Sequence, residues 1–146
     1  IPSGEAEGPK YEYKMDFLED FLVWINDLRK ERPNIVVCGD YNIAHKPIDI
    51  NHPERQVGVS GFLPEERAWL DKWEASGMVD SFRMFDLSGE KYSWWSFRAA
   101  SRARNVGWRI DYHWISEPMK ERITDAKILA DVVHSDHCPV SLELSV

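Results

Sequence analysis

Between Lys10 and Glu31, apolar residues recur at Met15, Leu18, Leu22, Ile25 and Leu28, and Pro33 then stands two residues before Ile35-Val36-Val37-Cys38. Steps of three and four predict one long amphipathic helix, and a proline cannot continue it. The short all-apolar run that follows is rich in β-branched residues, which predicts a strand buried on both faces. From Ala44 to Gly61 the chain reads as loop, because Pro47, Asn51, Pro53 and Gly58 break any period. Pro64 suits the first turn of a second helix, which runs to about Ser76 and stops at Gly77. Extended candidates follow at Val79 to Phe82, Tyr92 to Phe97, Arg109 to Ile115, Ala126 to Ala130 and Val140 to Val146. Two helices with a strand between them and further strands behind predict a layered α/β architecture. Without a repeat or an internal linker, residues 1–146 are expected to form a single unit.

Composition narrows the function classes. The 146 residues are 43% apolar and 12% aromatic, with seven Trp, which suits a packed core. No apolar run approaches the roughly 18 residues of a membrane span, and no signal peptide opens the chain, so no membrane partner is expected. Ile1-Pro2-Ser3-Gly4 lacks an initiator Met and reads as the middle of something longer. Cys38 and Cys138 form neither a disulfide framework nor a zinc spacing, and the expected compartment is reducing: cytoplasmic, nucleoid-associated in a bacterium, nuclear in a eukaryote. The net charge of −7 argues against diffuse attraction to nucleic acid. Yet Lys91, Arg98, Arg102, Arg104 and Arg109 lie in a stretch with no acidic residue. That pattern fits a local grip on a polyanion, or simply a solvated Arg-rich loop.

Three polar islands sit beside the extended runs: Gly39-Asp40-Tyr41-Asn42, Arg109-Ile110-Asp111-Tyr112 and Ser135-Asp136-His137-Cys138-Pro139-Val140. Asp40 and Asn42 flank one residue past a strand, so both side chains can point to the same side. A carboxylate there can align and deprotonate a water, and an amide can hold a phosphate oxygen without adding negative charge. An Asx turn closing the strand would use the same residues. Asp136 offers hard oxygen to a divalent cation, and His137 can donate to a phosphate, although a turn Asp and a core His would look alike. Alternation in the third run places Asp111, His113 and Ile115 on one face. A carboxylate in such a place needs a partner, for which imidazole is suited. His113 reads as structural.

In this order, the islands resemble the exonuclease III family of abasic-site endonucleases, within the DNase-I-like endonuclease/exonuclease/phosphatase superfamily. The resemblance also runs through Pro2-Ser3-Gly4, Gly61-Phe62-Leu63-Pro64-Glu65-Glu66-Arg67, Asp80-Ser81-Phe82-Arg83, Tyr92-Ser93-Trp94-Trp95 and Asn105-Val106-Gly107-Trp108-Arg109-Ile110-Asp111-Tyr112. The Trp-bearing segments point to the abasic-site branch. The implied fold is the carboxy-terminal half of a DNase-I-like layered α/β sandwich, one sheet flanked by helices.

The implied activity is metal-dependent attack of water on the phosphodiester 5′ of an abasic site in double-stranded DNA, with 3′–5′ exonuclease and 3′-phosphatase activity alongside. Asp40, Asn42, Asp111 and His137 would be catalytic. Asp136, with Asp40 and Asn42, would serve Mg²⁺ or Mn²⁺. Trp94 and Trp108 would line a pocket for a flipped-out baseless sugar, with Trp95 in the core. Arg98, Arg102, Arg104 and Asn105 would bind substrate, the arginines through the DNA backbone.

The resemblance also implies losses. The family's phosphate-contacting Tyr would lie just before Ile1, and its amino-terminal Asn and metal-binding Glu have no counterpart among these residues. Ser3 stands where part of the family has an Asn. The chain alone is therefore expected to be inactive, and to associate with the missing amino-terminal half or with itself. Another phosphodiesterase or phosphatase branch, or a non-catalytic DNA- or protein-binding module, is the alternative.

Overall fold

A computed structural model describes residues 1–145. The first helix, α1, spans Pro9–Glu31, and α2 spans Pro64–Ala75; each begins with proline, whose missing N–H is no loss in a first turn. Gly77, with φ +97°, follows the end of α2, a backbone conformation that a side chain resists. Arg29 of α1 donates to the Ser76 carbonyl at 2.6 Å, so a cation from one helix caps the other.

Three strands, β1 (Val36–Asp40), β2 (Met78–Asp80) and β3 (Asp111–Ser116), form an antiparallel sheet in the order β1-β3-β2. Both helices pack on one face of it. Leu18 and Ile25 of α1 and Trp69, Leu70 and Trp73 of α2 meet Tyr112 and Trp114 of β3, all buried. On the other face lies a two-stranded ribbon of β4 (Ile123–Ile128) and β5 (Val140–Leu144), where Ile123 and Leu142 pack with Ile115, Val36 and Val79. The expected helix-flanked sheet is thus present, with its two helices on the same side.

Two expectations need correction. β1 is not buried on both faces. It is an edge strand bonded to β3, and its Cys38 and Gly39 are exposed, because no described element covers that part of the outer face. Tyr92 to Phe97 forms no ladder strand either. The Ser93 and Trp94 N–H groups both donate to the Trp108 carbonyl at 2.9 Å, and Trp95 N–H donates to Asp136 O at 2.9 Å. The segment therefore stitches two loops together. No described helix is long and apolar enough to cross a membrane.

Candidate active site

Asp40 ends β1, Asp111 begins β3, and the two stand opposite each other in the ladder. Strand alternation turns both toward the face away from the helices. Asp111 Oδ2 accepts a hydrogen bond from His137 Nδ1 at 2.9 Å and from Ser93 Oγ at 2.7 Å. Since a carboxylate only accepts, the ring proton sits on Nδ1, and Nε2 is left for the cavity that His137 lines. The fully buried Ser93 Oγ also accepts the Ile110 and Asp111 N–H groups, at 3.1 and 3.0 Å. Its backbone carbonyl accepts Cys138 N–H at 2.8 Å, which brings His137 beside Asp111. Ser93 was invisible as a site residue in the sequence, where only its place between aromatic neighbours marked it.

Asp40 Oδ1 accepts the Asn42 N–H at 2.7 Å, so the Asx turn is present. Burial pushes the Asp40 carboxyl above its ordinary range and the Asp111 carboxylate adds to this, while the Asn42 N–H and His137 oppose it. Asn42 adopts φ +50°, with its amide donating to the Ile1 carbonyl at 2.9 Å, which leaves a second amide hydrogen. Trp94 Nε1 donates to Asp136 Oδ2 at 3.0 Å, and this bond holds the Asp136 carboxyl below the usual carboxylate range.

Asn42 and His137 border a cavity of about 320 Å³ whose apolar walls are Trp94, Trp108 and Ile110. The two indoles meet edge to face, 6.1 Å apart at 90°. Val59, Ser60 and Gly61 complete its lining, with the Gly61 backbone against the Trp108 ring. Trp95 lies in the core at 3% exposure, as expected from its position.

The basic stretch divides. Arg98 and Arg104 are exposed. Arg102 faces inward: it donates to the carbonyls of Ser135, Ala130 and Val132 at 2.7, 2.9 and 2.6 Å and stacks on Trp95. Asn105, expected at the substrate, accepts from Trp95 Nε1 and donates to the Glu90 carbonyl, each at 3.0 Å. Arg109 is 1% exposed and bonds Asp49 at 2.8 Å and Asp80 at 3.1 and 2.6 Å, so it contributes nothing to a surface grip.

The carboxylates beside the cavity do not form a complete ligand set. Asp111 is occupied by His137 and Ser93, and Asp136 by Trp94 and Ser135. Among the described residues, one trio of potential ligands lies within reach of a single ion: His45, Asp71 and Glu74. It is elsewhere, and Lys46 already bonds Asp71 at 2.5 Å. A divalent cation in the cavity would need further ligands.

Residues 4–137 match the model of the endonuclease/exonuclease/phosphatase family. An exodeoxyribonuclease of Bacillus subtilis is 45% identical over 147 residues, covering 99% of this chain and 58% of the relative. The DNA repair nuclease APEX1 of Danio rerio is 33% identical over 147 residues, covering 100% and 47%. Among solved structures, a Neisseria 3′ phosphatase, NExo, bound to a product DNA hairpin superposes with a TM-score of 0.93 at 26% identity, covering 99% of this chain and 58% of that one. An AP endonuclease of Archaeoglobus fulgidus gives 0.89 at 26%, with the same coverage. The chain thus spans about half the length of the curated relatives it matches. With its dyad, its Asx-turn carboxylate and this match, the chain belongs to the endonuclease/exonuclease/phosphatase family, alongside exodeoxyribonuclease and AP endonuclease relatives.

Proposed function

We propose that this chain carries the phosphate-side machinery and the sugar pocket of a DNA repair nuclease that hydrolyses the phosphodiester 5′ of an abasic site. The observation that supports the reading most is the apolar cavity of about 320 Å³, bordered by the His137–Asp111 pair. Its volume is at the low end for small-molecule sites, and its apolar indole walls suit the face of a sugar that carries no base. Extrusion costs least where pairing is already lost, so an abasic nucleotide is the substrate selected. Double-stranded DNA is the partner, with Arg98 and Arg104 as its exposed cations.

In this reading Asp40 takes the proton of the attacking water, for which a carboxyl raised by burial is a better base than a free surface one. The second amide hydrogen of Asn42 holds a phosphate oxygen. His137, held by Asp111 through Nδ1, presents Nε2 to the same phosphate and donates from it when that nitrogen carries a second ring proton. Mg²⁺ or Mn²⁺ would supply charge neutralisation at the phosphate when bound, with Asp136 and Asp40 among its ligands. Because that ligand set is incomplete, the chain alone turns over poorly or not at all. It gains activity with the remainder of the domain, and the exposed part of β1 is where that remainder, or a second copy, would lie. The 3′ phosphatase among the structural neighbours favours 3′-end processing as a companion activity of the same pocket.

The test is a duplex carrying one abasic-site analogue, incubated with Mg²⁺ or with EDTA, with and without the complementary half of a relative. A metal-dependent nick 5′ of the lesion that requires the added half is the expected result. No nick in the reconstituted protein would overturn the reading.

A further inference from the structure

Two buried charges tie the walls of the cavity together without lining it. Lys14 of α1 is 1% exposed and Glu66 of α2 is 0% exposed, and Nζ lies 2.7 Å from Oε1. The ammonium also donates to the Asn42 carbonyl at 2.9 Å. The carboxylate also accepts the Gly61 N–H at 2.6 Å and the Leu63 N–H at 3.0 Å. Asn42 is one wall of the cavity and Ser60-Gly61 is another. The Gly61 backbone in turn lies against the Trp108 ring, where an added Cβ would come 2.8 Å from Cζ3 and 3.2 Å from the Asn42 carbonyl.

A chain of direct contacts therefore runs Asn42–Lys14–Glu66–Gly61–Trp108. An apolar pair could fill the same volume at little cost in stability. It could not hold the Asn42 carbonyl on one wall and the Gly61 N–H on the other, which makes placement, rather than packing, the feature that needs these charges. We propose that Lys14 and Glu66 are a positioning pair that sets the width of the cavity, and through it the preference for a sugar without a base. This rests on the function proposed above.

The experiment compares kcat and KM on two duplexes, one with an abasic analogue and one with an intact nucleotide at the scissile position, in the reconstituted protein. The variants are Lys14→Met/Glu66→Gln and Lys14→Arg. The double variant is expected to fold and to lose tenfold or more of the abasic preference. Its KM for the abasic duplex should rise more than its kcat falls. Lys14→Arg, which can still bridge the carbonyl and the carboxylate, should keep most of the preference.

A folded double variant whose preference stays within twofold of the parent overturns the positioning role, as does equal loss on both substrates. A parent protein with no abasic preference overturns the functional reading itself, and this inference with it. The Trp108 indole N–H resonance supplies a readout that needs no activity: it should move or broaden in the double variant, and an unchanged resonance counts against the pair. If the double variant does not fold, Glu66→Gln alone keeps a carbonyl acceptor and carries the same readouts.

Discussion

Removing Arg109 should damage stability and leave DNA affinity alone. Its guanidinium makes three charge-assisted hydrogen bonds, one to Asp49 and two to Asp80, in a site where all three residues are at least nine-tenths buried. Arg109→Met keeps much of the stem volume and deletes the charge. Asp49 retains Arg83 at 2.6 Å, but Asp80 is left as a buried carboxylate without its cation. Breaking a buried pair from one side costs about 3–5 kcal/mol. At roughly 4 °C per kcal/mol for a chain near 150 residues, that lowers the melting temperature by about 12–20 °C. Scanning calorimetry at neutral pH measures it directly. Adding Asp80→Leu should recover at least half of the loss, since the orphaned charge goes with it. A single-variant loss under about 4 °C, or a double variant no better than the single, would refute the reasoning. So would a fall in DNA affinity at a temperature where the variant is folded, for that would return Arg109 to the surface role its sequence neighbours suggest.

Asp40→Asn should abolish turnover in the reconstituted protein, leave its DNA binding in place and raise the chain's thermal stability at neutral pH. A carboxyl whose pKa is raised in the fold favours the folded state when protonated; that contribution is complete below the unfolded value and is lost as pH rises through the folded one. Melting curves of both proteins at pH 3 to 8 should therefore converge at the acid end, and parallel curves would count against the assignment. Ser93→Ala should leave the Ile110 and Asp111 N–H groups unpaired and free Asp111, costing about 1–3 kcal/mol of stability and lowering kcat more than KM is changed. Gly61→Ala forces a side chain into a φ of +94° and against Trp108, for a loss of about 1–3 kcal/mol in a denaturant titration. Exposed Cys38 should react quickly with a thiol reagent at pH 8, while Cys138, whose buried thiol is pushed up to about 11, should react slowly. Protection of Cys38 on adding the complementary half would locate that half over β1.

Periodicity made both helices legible because their buried stripes repeat within a few residues. The same stripes held an unread signal. Lys14 stands in step with Leu18 and Ile25, and Glu66 with Trp69, Leu70 and Trp73. A charged residue in register with a buried face must find a partner there, and these two find each other across 52 positions. β1 was misread because an all-apolar run looks the same whether its covering layer is present or not. Arg109 was misread because the carboxylates that neutralise it lie 60 and 29 positions away, while its apparent basic company is local. The pairing of Asp111 with an imidazole followed from strand alternation, and the structure forms it with His137. Ser93 could not be singled out, since a small hydroxyl carries no pattern of its own.

The stitching of Ser93 and Trp95 to residues 136–138, and of Trp94 to Trp108, has a consequence for how the chain acquires its chemistry. The amide at 42 and the imidazole at 137 border one cavity only after contacts between residues far apart in the sequence have closed. Such contacts are slow to form, because the loop entropy must be lost before they reward it. Until the stitches close, His137 is not held beside Asp111. The paired Asp111 and His137, and any chemistry they carry, would then be assembled only when those loops have closed.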